Sequence, residues 1–113
     1  MALDNITEDL KKDYQQKNQA ITDNSLITLV AAVAGQRIKV IALVLSSDTA
    51  AEFSLNSGSN IIFNFHGGAN WGTVNLPQGN TPLFYSNAGE ALTIQCDQAS
   101  LDANVYIKYV VEA

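Results

Sequence analysis

His66 is the single histidine of the 113 residues and stands directly before Gly67-Gly68. A nucleophilic triad needs an activated hydroxyl or thiol, a base, and an acid that orients the base. Asp97 and Ser100 occur in the chain, but no nucleophile-elbow pattern surrounds any serine. The favoured reading of His66 is a strand-end or surface histidine. One histidine and one cysteine also make a poor metal set, because a closed zinc site takes four ligands. The carboxylates Glu52, Glu90, Asp97 and Asp102 show no spacing that marks a glycosidase pair. What matters for such a pair is separation in space. These residues predict no catalytic set, no metal and no cofactor, and the chain is not read as an enzyme.

Two further stretches invite a functional reading. Gly67–Gly72 has the glycines of a phosphate loop but lacks a Gly-Lys-Ser/Thr sequence and a following helix. It reads as a hairpin tip. Trp71 stands on that tip, where an aromatic residue is a common anchor for an interface or a sugar. Cys96, in phase with Leu92 and Ile94, reads as a small buried hydrophobe. A single cysteine excludes an internal disulfide and fits a reducing compartment.

Composition narrows the partners. The chain is 47% hydrophobic and only 15% charged, against roughly one quarter charged in a typical domain. A small protein with so few charges tends to hide part of its surface in contacts. The net charge is −5, and beyond residue 24 the basic side chains are Arg37, Lys39 and Lys108. Three scattered cations do not make the footprint that phosphate neutralisation requires, so nucleic acid is not an expected partner. No apolar run approaches the roughly 20 residues of a membrane helix, and no membrane partner is expected. The opening MALDNITEDLKKDY has acids where a signal peptide needs a basic start and an apolar core. The expectation is a chain made in a cytoplasm and not exported by the general route.

The elements that would position these residues centre on Gln36–Ser47, QRIKVIALVLSS. Counted by twos, one face carries Ile38, Val40, Ala42 and Val44. The other carries Ile41, Leu43 and Leu45 after Arg37 and Lys39. A strand with one wet face alternates apolar and polar residues; this one predicts cover on both sides. In a short chain the second cover is readily another subunit, so Arg37, Lys39, Ile41, Leu43 and Leu45 are the candidate oligomer interface.

Residues 1–24 differ in composition and read as an N-terminal arm. Leu3, Ile6, Leu10 and Tyr14 recur at helical spacing, with Thr7 as a possible N-cap. The arm is either a segment that orders against a neighbour or a solvated leader. Its four apolar residues, with Trp71, are the candidate partner contacts. From Ser25 onward about eight short strands follow at roughly ten-residue spacing, a pattern of sandwiches and barrels. The expected fold is all-β: an antiparallel β-sandwich of jelly-roll type over residues 25–113.

One stretch resembles a known group. Thr28–Val40, TLVAAVAGQRIKV, sets an apolar strand, an Ala-Gly turn and a basic-Ile-basic-Val strand in succession. This resembles the opening of small virion proteins of tailed bacteriophages. Ala88-Gly89-Glu90-Ala91-Leu92-Thr93-Ile94 and the closing Val105–Glu112 look like the same group's final hairpin. The resemblance covers most of residues 26–112 and leaves the arm unmatched. It implies a structural protein of the virion, assembled in the host cytoplasm. The expected role is a homotrimeric capsid decoration (cement) protein that stabilises the shell by non-covalent contacts with the major capsid protein. The alternative is a tail or fibre component that binds host-surface glycans. A cupin-like enzyme on the same architecture needs a cluster of histidine ligands, and this chain has one histidine.

Overall fold

The computed structural model describes residues 14–67, 72–76 and 82–113. Among them are nine strands and no helix: β1 (Gln15–Ile21), β2 (Ile27–Val30), β3 (Arg37–Ser47), β4 (Ala51–Ser57), β5 (Asn60–Gly67), β6 (Gly72–Leu76), β7 (Phe84–Tyr85), β8 (Leu92–Cys96) and β9 (Ala103–Glu112). They build two antiparallel sheets. The first runs β1-β9-β3-β6, with the two-residue β7 also on β3; the second runs β2-β8-β4-β5. Successive strands pair only in the β4–β5 hairpin; elsewhere the chain crosses between sheets or skips a neighbour. This is the winding of a jelly roll, with β7 as a short supplement beside β6.

β3 is the centre of the first sheet, as its Val-, Ile- and Leu-rich sequence predicts, but its phase changes part-way along. Ile38 and Val40 face the second sheet. The register with β9 then shifts between Val40 and Ala42. A bulge of this kind adds one residue and turns the following side chains to the other face. Leu43, Leu45 and Ser47 therefore join Ile38 and Val40 in the core, opposite Ile107, Val105 and Ala103 of β9. An uninterrupted count by twos puts Leu43 and Leu45 on the outside. The bulge at Ile41 puts them inside.

The second sheet answers with Phe53 and Leu55 of β4, Leu92, Ile94 and Cys96 of β8, and Phe65 of β5, all in one cluster with the first sheet's residues. Full burial of a side chain of this size contributes about 1.5–3 kcal/mol. An aromatic series closes one side of the sandwich. Phe65 stacks on Phe53 with centroids 5.9 Å apart, Phe63 on Phe65 at 5.8 Å, and Phe84 lies 5.0 Å from Phe63. The last contact joins β5 of one sheet to β7 of the other.

Gln15–Ile21 falls inside the segment set apart above as an arm. It is a strand, paired with β9 from Gln15↔Tyr109 to Ile21↔Ala103. The Tyr109 hydroxyl donates to Gln15 Oε1 at 3.2 Å, and Ile21 is fully buried in the core. The helical reading over Leu3, Ile6 and Leu10 lies outside the described residues; Tyr14 precedes β1 and belongs to neither helix nor strand.

A polar corner ties the loops. Ser57, at the end of β4, donates its hydroxyl to Glu90 Oε1 and accepts from the Asn87 amide nitrogen, each at 2.8 Å. Gly58 follows at φ +57°, and a Cβ there would stand 2.9 Å from Glu90 Oε2. Both conditions call for glycine.

Candidate functional site

The outward side of the first sheet is drawn from β3 and β9. Arg37, Lys39, Ala42, Val44 and Ser46 stand opposite Glu112, Val110, Lys108, Tyr106 and Asn104. Charge gathers at one end. Lys39 Nζ pairs with Glu112 Oε1 at 3.0 Å, and the Arg37 guanidinium lies 5.6 Å from the centre of the Tyr85 ring. The Lys108 ammonium sits 5.0 Å from the Tyr14 ring. The middle of the face is apolar around Lys108, which stands opposite Ala42. Ala42, Val44 and Tyr106 are half-buried, and Val110 (5% exposed) and Ile41 (7%) are buried yet lie outside the inter-sheet core.

The structure thus divides the five sequence-derived interface residues. Arg37 and Lys39 are on this outward face, already engaged with Tyr85 and Glu112. Ile41 is in the bulge. Leu43 and Leu45 are wholly inside the subunit and leave no surface for a second chain. Val44 and Tyr106 stand half-buried on the outer face, and Val110 on the same face is buried. The sequence carried a signal for the last two, since strict alternation along β9 sets Tyr106, Lys108 and Val110 in one phase. Of the candidate partner contacts, Tyr14 is described; Leu3, Ile6, Leu10 and Trp71 lie outside the described residues.

The outward side of the second sheet is polar. Glu52, Ser54, Ile61, Asn64, Gln95, Cys96 and Asp97 line a shallow depression of about 340 Å³. A second, of about 220 Å³, adjoins it through Glu52 and Asp97 and includes His66, Ala50 and Ala51. Asp97 is fixed there by two bonds with Glu52: its Oδ1 accepts from the Glu52 amide at 3.0 Å, and its own amide donates to the Glu52 carbonyl at 3.1 Å. The Glu52 N–H, with smaller help from Gln98 and the charge of His66, holds the Asp97 carboxyl below the usual carboxylate range. This corner brings His66 to two acids; among the described residues no hydroxyl, thiol or amine side chain lines it, while Ser54 and Cys96 line the adjoining depression. Among the described residues no three His, Cys, Asp or Glu side chains group as a metal site. Cys96 is buried, with its thiol directed at the Asp23 carbonyl at 3.1 Å.

No protein-family model matches the chain, and no curated protein matches it. Solved structures do. A chain of the Bacillus endospore appendages, which form a family of disulfide-linked pili, aligns over 91% of this chain and 90% of its own with a TM-score of 0.52 and 12% identity. PliG of Aeromonas hydrophila, a periplasmic inhibitor of g-type lysozyme, aligns over 91% and 90% with a TM-score of 0.39 and 18% identity. The extra small virus of the prawn Macrobrachium rosenbergii, solved as a virus-like particle, aligns over 88% and 80% with a TM-score of 0.39 and 12% identity. What this chain shares with the Bacillus chain is its fold. The described residues contain no helix long and apolar enough to cross a membrane.

Proposed function

We propose that this chain is a structural subunit of a tailed-phage particle, a capsid decoration protein that trimerises and stabilises the shell by non-covalent contacts with the major capsid protein. The observation that carries this reading is the outward face of the first sheet. Val44 and Tyr106, both half-buried, stand opposite each other on the β3–β9 ladder, with Ala42 on the next outward rung opposite Lys108, where a fully solvated face would be polar throughout. An apolar stripe flanked by charged residues is the layout of a protein contact surface. The resemblance of Thr28–Val40 to small phage virion proteins supplies the setting, and the low charge content agrees with it.

A disulfide-linked polymer such as the Bacillus appendages form is a poor model for this chain. Its one cysteine is buried, and one thiol per subunit links no more than two chains. A second reading, a tail or fibre component that binds host glycans, draws on the depression lined by Glu52, Ser54, Asn64, Gln95 and Asp97. Those side chains match the hydrogen-bonding needs of sugar hydroxyls. It predicts that Trp71 fluorescence or the thermal midpoint responds to sugars, whereas a decoration protein ignores them.

The test joins two measurements: the mass of the purified chain in solution and its presence in purified particles. The proposal expects a trimer and a particle-bound protein. A monomer at micromolar concentration that is missing from particles ends it.

A further inference from the structure

Among the described residues β5 is an edge strand of the second sheet, paired on one side with β4. Exposed edges invite pairing with other chains, and proteins guard them with charge, proline, bulges or shortness. The other edges here are guarded. β2 has four residues and a register shift, β7 two, β6 five, and β1 carries Lys17 among polar neighbours. β5 has eight residues, NIIFNFHG, with no proline, no carboxylate and no amine. Its one irregularity lies near the start, and from Phe63 to Gly67 the pairing with β4 is unbroken. It also bears two of the exposed large apolar side chains among the described residues, Ile61 (61%) and Phe63 (40%).

We propose that β5 is a self-pairing edge, where two copies of this chain join β5 to β5 antiparallel about a two-fold axis at Asn64 and merge their four-stranded sheets. Charge selects a second copy as the occupant. Each chain carries −5, so like copies repel least where a surface bears no carboxylate, and β5, whose one titratable side chain is His66, is the long edge that meets this condition. Register selects the axis. In antiparallel pairing, residues directly opposite share a face. Centring on Asn64 sets Phe63 opposite Phe65 of the second copy, both on the core side, and Asn64 opposite its own copy on the polar side, where side-chain amides bond reciprocally. A two-fold contact of this kind is closed and self-complementary. It leaves the outward face of the first sheet free and does not depend on the capsid reading.

The experiment is oxidative cross-linking of the full chain carrying Asn64→Cys, with Ser54→Cys as control. At the axis the two introduced thiols lie about 5 Å apart across the strands. Ser54 is one strand further in, opposite Asn64 on the same face, so its copies lie about 14 Å apart, three strand spacings. That exceeds the reach of a disulfide. The expected result is a reducible dimer from Asn64→Cys and none from Ser54→Cys. As a second arm, Asn64→Lys and Asn64→Glu each lose the two-fold contact alone and regain it when mixed, because opposite charges then face each other at the axis. No dimer from folded Asn64→Cys, equal dimer from Ser54→Cys, or no recovery on mixing overturns the proposal.

Discussion

The Ser57 hydroxyl donates to Glu90 Oε1 across 2.8 Å and joins the end of β4 to the loop before β8, 33 residues on in the chain. The same carboxylate oxygen accepts from Asn87 Nδ2 at 2.8 Å. These two bonds, Ser57 first, hold the Glu90 carboxyl below its ordinary range. Asp48, through the amide of Asp102, and Asp97, through the amide of Glu52, are lowered in the same direction.

A depressed carboxyl stabilises the fold above its unfolded-state value and ceases to do so as pH falls through its folded one. Stability should therefore stay level from about pH 5 to 8 and decline below about pH 4, through the range where free carboxylates protonate. Glu90→Gln should flatten part of that acid limb, as read by thermal melts from pH 2 to 6. An unchanged limb contradicts the assignment. Ser57→Ala at neutral pH should cost about 1–2 kcal/mol in urea unfolding, since it strands the Asn87 amide.

The bulge in β3 predicts opposite outcomes for adjacent residues. Leu43 is in the core, so Leu43→Ala should cost about 2–5 kcal/mol, and Leu43→Asp should fail to fold. Val44→Asp, on the outward face, should cost about 1 kcal/mol in strand preference and leave a cooperative melt. Circular dichroism with urea titration separates them. Similar losses at both positions would place the bulge elsewhere.

Truncation tests where the sandwich starts. Removing residues 1–13 leaves all nine strands and should preserve the melt. Removing residues 1–24 takes away β1, strips β9 of its partner and deletes buried Ile21; that protein should be unfolded or aggregated. A fully folded 25–113 fragment would show that β1 is dispensable.

Cys96 should react with a thiol reagent only on unfolding, because it is buried with its thiol at the Asp23 carbonyl. Rapid labelling of the native protein at neutral pH would contradict its placement.

The sandwich was legible because β3, β4, β8 and β9 carry alternating or continuous runs of Val, Ile, Leu and Phe, and turn residues separate them. Its winding was not, since pairings such as β1–β9 and β2–β8 join distant segments that no local pattern specifies. β1 was missed because QQKNQAI shows no apolar alternation; it is held by β9's backbone, by polar side-chain bonds such as Tyr109 to Gln15, and by the burial of Ile21. The outward face of β3 was half-legible. Arg37 and Lys39 are where an alternating count places them, but Leu43 and Leu45 are inverted by one extra residue, and a bulge has no signature in a run as uniform as KVIALVL. The acids that pin loops, Glu90 and Asp97, act through backbone amides and hydroxyls brought together only by the fold.

The most direct test of the central claim is the mass of the full 12.1 kDa chain in solution, by light scattering at tens of micromolar, beside Val44→Asp. A trimer or larger multiple for the full chain, with the three-fold species absent from Val44→Asp, is the predicted result. A full chain that stays monomeric, or a Val44→Asp protein that assembles as the full chain does, would contradict the claim that the outward face of the first sheet is built to meet other subunits.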